Sequence, residues 1–357
     1  MSILFFTQYN STVSFEMYKN MDRRIFGCWK TTFTFYKIYK NNTDNLCSLL
    51  KRTIYSKLEV VNENVSNVEI LVPWGKIAGR LWGIDKYKQP ILALHGWQDN
   101  AASFDNLAPL LQKHGPILAI DLPGHGLSSW LPPGQMYFEY NYVLLLHRLK
   151  RYFAWEKLKL LAHSLSTHYC FWYASIYPKD VAYVIAIDHL KPLSITTAKY
   201  NARLAEAFTQ ICKIEEMKNE PPSYKKEELI KRWIKDSFES ITEDSCKILM
   251  TRGITEKPDG TVYLNRDPRL RILPSYSGMT HDQLEDLARF IICPYLVIKS
   301  DLKLTMEDMQ SYYDVLNVLK ESSIDCQYHL IPSKHHIHLN DPQLIIKAID
   351  PFLEKYN

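Results

Sequence analysis

The chain has 357 residues, 46% hydrophobic and 23% charged, with a formal net charge of +4. Such a composition describes a globular chain long enough for one large or two ordinary domains, and its apolar runs fall far short of the ~18 residues of a membrane span. Glycine is scarce at 12 residues, about half the ordinary share of roughly 7%, which excludes collagen, glycine-rich linkers and low-complexity repeats.

Residues 1–57 hold nine Lys/Arg against Glu16, Asp22 and Asp44, a surplus of six, which leaves the other 300 residues at −2. This segment reads first as a poorly packed N-terminal extension; its basic, acid-poor composition makes a mitochondrial transit segment the second reading. The remainder is slightly acidic and holds no basic stripe, so no nucleic-acid partner is expected. Seven cysteines without a CxxC spacing argue against a disulfide framework or zinc ribbon and fit an intracellular, cytoplasmic setting.

From residue 68 short apolar runs alternate with helical stretches, the pattern of βαβ units. Val68 to Val72 and Gly79 to Trp82 flank Pro73-Trp74-Gly75 and read as an opening antiparallel pair. Apolar runs then begin at Ile91, Ile117, Leu158, Tyr183, Tyr295 and Tyr328. Runs this continuous suit parallel strands buried on both faces. Between the strands near 187 and 295 lies a polar, helix-prone interval too long for a crossover. It predicts a helical cap over residues 189–292, inserted into a core of residues 58–188 and 293–357.

The strand ending Leu160-Leu161-Ala162-His163 runs directly into Ser164, and a helical stretch follows. A serine on so sharp a strand-to-helix turn is held with its hydroxyl exposed, beside free N–H groups that favour an oxyanion. Ala162 and Ser166 stand where a GxSxG elbow carries glycine, so the pattern is met in size rather than in letter. The bland alternative is that Ser164 merely caps the helix. Leu94-His95-Gly96-Trp97 ends an earlier strand, and Asp121-Leu122-Pro123-Gly124-His125-Gly126-Leu127-Ser128 ends the next. Near the C-terminus, Lys334-His335-His336-Ile337-His338 lies between the last strand and the last helix.

These segments, with Pro73-Trp74-Gly75-Lys76-Ile77-Ala78-Gly79, Gln98-Asp99-Asn100 and Arg266-Asp267-Pro268-Arg269-Leu270, resemble an α/β-hydrolase, and more narrowly the animal serine hydrolase-like proteins. The resemblance implies an α/β fold with an eight-stranded, mostly parallel sheet and an inserted helical cap. It implies serine ester-hydrolase chemistry on a small acyl substrate without a cofactor. Ser164 matches the nucleophile and His335 the base, with His336 the neighbouring alternative; the backbone N–H groups of Trp97 and Leu165 match the oxyanion hole. For the acid, Asp188 at the end of the sixth strand is preferred over Asp301, because Lys303 occupies the position usual for that role. No metal is expected; the rival set His335, His336 and His338 lacks a partnering carboxylate or cysteine at matching spacing. Two other functions stay open: a ligand-binding protein that keeps the fold but has lost efficient catalysis, and a lyase on the same fold. The sequence carries no signal for oligomeric state or for substrate identity.

Overall fold

A computed structural model describes residues 57–62, 64–83, 85, 88–217, 220–272, 278–301 and 308–357. The expectation for the N-terminal extension lies almost wholly outside the described residues, as does Lys303. The eight expected strands are all present: β2 (Val65–Val72), β3 (Gly75–Trp82), β4 (Ile91–Leu94), β5 (Ile117–Ile120), β6 (Leu158–His163), β7 (Val181–Ile187), β10 (Tyr295–Ser300) and β11 (Cys326–Ile331). A further strand, β1 (Lys57–Asn62), precedes them and pairs antiparallel with β2. The sheet order is β1-β2-β3-β5-β4-β6-β7-β10-β11. Only the β1–β2, β2–β3 and β3–β5 pairings are antiparallel. The rest is parallel, as an α/β-hydrolase fold requires.

Burial on both faces explains the unbroken apolar strands. Leu92, Leu118, Leu160 and Ala162 face one side of the sheet; Ala93, Ala119, Leu161 and Ile185 face the other. The first side is covered by α2 (Glu139–Tyr152) and α3 (Leu165–Ile176). These two helices meet through stacked Tyr142 and Tyr169 rings with centroids 4.5 Å apart. On the second side Ile345, Ile349 and Phe352 of α10 (Gln343–Tyr356) close the core, joined by Phe104 and Leu107 ahead of the short α1 (Ala108–Leu111). A buried leucine contributes about 1.5–3 kcal/mol relative to an exposed one, so these two layers supply the fold's main driving force.

Between β7 and β10 lie α4 (Thr197–Glu216), α5 (Lys226–Asp236), α6 (Glu243–Gly253), a hairpin of β8 (Ile254–Glu256) and β9 (Val262–Leu264), and α7 (His281–Ala288). After β10 come α8 (Met309–Ser322) and, beyond β11, the single-turn α9 (Ile337–Asn340). The inserted elements carry small apolar clusters of their own, such as Ile241, Cys246 and Leu249, which reach Leu339 of α9.

The insertion is also fastened by charge. Arg252 of α6 is buried and donates through Nη2 to Asp121 Oδ2 at 2.7 Å and through Nε to both carboxylate oxygens. Its Nη1 reaches Asn67 of β2 at 3.1 Å. Removing one partner of such a pair strands a buried charge, which costs about 3–5 kcal/mol. We expect Arg252→Met to lower unfolding free energy by that amount, and Arg252→Met with Asp121→Leu to recover part of it; urea denaturation of the three proteins measures both.

Candidate active site

Trp97 lies after β4, Ser164 and Leu165 after β6, Asp188 after β7 and His335 after β11. Ser164 follows β6 directly and has φ 52° and ψ −123°, a conformation that L-residues adopt only under constraint. Its N–H is held by Ile187 O at 2.9 Å, and its own carbonyl accepts from Thr167. The Ser164 side chain makes no capping hydrogen bond to α3, so the reading of this serine as an ordinary helix cap fails. Its Oγ forms no hydrogen bond with any other described residue.

Ala162 and Ser166 are fully buried, which explains why only small residues suit these places. Ser166 does more than fit. Its Oγ donates to the carbonyl of His95, tying the first turn of α3 to the end of β4. We expect Ser166→Ala to cost about 1–2 kcal/mol through that orphaned carbonyl, read as a lowered urea midpoint, while Ala162→Gly changes it less.

The segment after β4 is cross-braced by two histidines. His95 Nε2 accepts the Leu122 N–H at 3.0 Å, so its Nδ1 carries the proton donated to Gly96 O. His125 Nε2 accepts the Gln98 N–H at 3.2 Å, so its Nδ1 donates to Pro123 O. Burial lowers both rings' pKa, that of His125 to about 3, which keeps them neutral in these roles. Gln98 has φ 62°, and the Trp97 indole donates to Leu270 O at 2.7 Å. The backbone N–H groups of Trp97 and Leu165 have no acceptor among the described residues.

Asp188 and His335 are brought together: His335 Nδ1 donates to Asp188 Oδ2. Asp188 ends β7 at φ 69°, and its Oδ1 accepts from Lys299 Nζ at 2.9 Å, from Ser300 N at 2.8 Å and from the Ser300 hydroxyl. Burial penalises this carboxylate, yet the His335 hydrogen bond and the charges of His335 and Lys299 outweigh it and hold the carboxyl well below its usual range. Asp301 is not bonded to His335; it is exposed and accepts the Ser333 N–H at 2.9 Å. The trio His335, His336 and His338 does not converge. His335 groups with Asp188 and His189, His336 with Asp99 and His163, and His338 with neither.

More histidines surround this centre than the sequence reading used. The His163 ring lies 4.7 Å from that of His335, and burial pushes its pKa down to about 4. On the other side His189 reaches His168 at 3.4 Å, and His168 reaches the buried Glu139 at 3.3 Å. Burial raises Glu139 to about 8. Nothing in the spacing of Glu139, His168 and His189 marks them as neighbours, since they come from three elements.

The model of the alpha/beta hydrolase fold matches residues 89–208. A Drosophila melanogaster protein named "Probable serine hydrolase" is 38% identical over 291 residues, covering 80% of this chain and 87% of that protein. The chain belongs to the serine hydrolase-like family of α/β-hydrolases. A mouse "Serine hydrolase-like protein" is 30% identical, covering 81% of this serine hydrolase-like chain and 96% of the mouse protein. Among solved structures, a hypothetical protein of Pseudomonas aeruginosa PAO1 superposes with a TM-score of 0.68 at 26% identity, over 81% of this chain and 99% of that one. The thioesterase domain of the curacin biosynthetic pathway shares the fold at TM-score 0.67 and 18% identity, over 82% and 99%.

Lys299 and Ser300 thus share one oxygen of the Asp188 carboxylate, and His335 takes the other. A carboxyl depressed in the folded state contributes fully above the ordinary carboxylate range and loses that contribution as pH falls toward its folded pKa. Asp188→Asn should thus be destabilised at neutral pH and lose less further stability on acidification than the parent, as paired urea titrations at pH 7 and pH 4 will measure.

Proposed function

We propose that this protein is a serine hydrolase that cleaves a carboxylic ester or related acyl substrate through an acyl-enzyme on Ser164. The observation that carries the reading is the Asp188–His335 hydrogen bond at the carboxyl end of the strand beside Ser164. With Nδ1 donating to Asp188, the neutral imidazole presents Nε2 as a base. His335 takes the Ser164 proton as Oγ attacks the substrate carbonyl, and the Trp97 and Leu165 N–H groups stabilise the oxyanion. The tetrahedral intermediate collapses, and His335 returns the proton to the departing alcohol. Water, deprotonated by the same histidine, then attacks the acyl-enzyme, and its collapse releases the acid and restores Ser164.

Residues 189–292 act, in this reading, as a cap that selects the substrate. Support comes from the bonds that the segment sends to the catalytic end. Ser240 Oγ meets His336 Nδ1 at 2.8 Å, and the carbonyls of Glu239 and Leu270 accept from Lys334 and from Trp97. None of the helices among the described residues is long and apolar enough to cross a membrane.

A second reading, a fold-retaining protein with weak catalysis, is favoured by the unbonded Ser164 hydroxyl and by Lys299 on the acid. A fluorophosphonate probe separates the two. The hydrolase reading expects covalent labelling that Ser164→Ala abolishes; absent labelling of folded wild type overturns it. Asp188→Asn should lower ester turnover by about three to four orders of magnitude through loss of the correct tautomer, while Asp301→Asn leaves turnover within about twofold.

A further inference from the structure

Behind the proposed triad lies a second cluster with no assigned role. Asp99 and His163 are essentially closed to solvent, and His336 is 7% exposed. Asp99 Oδ2 stands 3.6 Å from His163 Nδ1 and 3.5 Å from His336 Nε2. Both distances exceed a good hydrogen bond. Asp99 Oδ2 and His163 Nδ1 are buried with no hydrogen-bond partner.

The proton inventory makes this gap costly. His163 Nε2 lies 3.0 Å from the carbonyl oxygen of His335, and a carbonyl only accepts, so that nitrogen holds the proton in the neutral ring. Nδ1 then points a lone pair at a carboxylate oxygen. Two electron-rich atoms that face each other in a dry site need a cation between them. Gly96 keeps the space open: a Cβ there would sit 2.8 Å from His163 Nδ1 and 3.2 Å from Asp99 Oδ2.

We infer that Asp99 Oδ2, His163 Nδ1 and His336 Nε2 form a binding site for one divalent metal ion of the zinc class, separate from the Ser164 centre. Tetrahedral zinc with bonds of about 2.0–2.1 Å places neighbouring donors about 3.3 Å apart, a few tenths of an ångström inside the spacing seen. The three donor atoms lie within 4.8 Å of one another. Both imidazoles also have the outer partner that metal-bound histidines carry: the His335 carbonyl for His163 and the Ser240 hydroxyl for His336. Three protein donors leave a fourth position for water.

Such an ion is anchored one residue before Ser164 and one after His335.

The test titrates chelator-stripped, full-length protein with Zn²⁺ in a calorimeter and with Co²⁺ in a visible spectrophotometer. Wild type and Ser164→Ala should each bind one equivalent of Zn²⁺ and give the intense visible bands of four-coordinate Co²⁺. Asp99→Asn and His336→Gln should each weaken binding by at least about tenfold, with thermal melts confirming that the variants are folded. His335→Asn keeps the backbone carbonyl and should retain binding, as should His281→Asn in the half-exposed His281, Glu285 and Asp314 cluster. The inference is overturned if wild type binds no zinc, or if His335→Asn or His281→Asn abolishes binding while His336→Gln preserves it.

Discussion

Asp121 is the charge around which the catalytic end is assembled. Its carboxylate receives the Ala101 N–H from the turn after the Trp97 segment, the Leu127 N–H from the Gly124–Gly126 turn, and the Arg252 guanidinium from the insertion. Donors from residues 101, 127 and 252 therefore converge on one buried anion, and Arg252 in turn donates to Asn67 of β2. Net stability from such a pair is small, because desolvation consumes most of the attraction. Its value is geometric. The carboxylate's donors meet in one arrangement, which holds the turn at Ala101 that follows the Trp97 segment. Gly126 belongs to the same constraint, since a Cβ there would press 2.4 Å from the Asp121 carboxyl carbon.

Much of the fold was legible because strands buried on both faces leave unbroken apolar runs, and Ile91–Leu94, Ile117–Ile120 and Tyr295–Ile298 are such runs. β1 was not, because Lys57–Asn62 lies at the sheet edge and mixes charged with apolar residues. Ser164, His335 and Asp188 stand out in the sequence by position, each soon after a strand, and the structure brings Asp188 and His335 into a hydrogen bond. Lys299 and Ser300 escaped notice because they sit in an ordinary strand, and only the β7–β10 pairing turns them toward Asp188. The partnership of Asp99 with His163 and His336 joins residues far apart in the chain, and no local spacing encodes it. Arg252 and Asp121 are hidden in the same way.

The scarcity of glycine takes on a local meaning at the elbow. Ala162 is fully buried, paired in the sheet with Leu94 of β4 and Ala186 of β7. Ser166 uses its hydroxyl where glycine would contribute only absence. Its bond to the His95 carbonyl ties the first turn of α3 to the segment after β4. The departure from the GxSxG letters thus exchanges backbone freedom for a tether.

The backbone of Asp188 carries a consequence for how this lineage can change. At φ 69° the position admits asparagine, aspartate and glycine readily and most other side chains only with strain. Substitutions that the backbone tolerates best are therefore ones that remove the negative charge while sparing the local chain path. Glutamate, which would keep the charge, fits the conformation worse. Change at this site is therefore channelled toward chains that keep the local path and lose the carboxylate that holds His335 and Lys299.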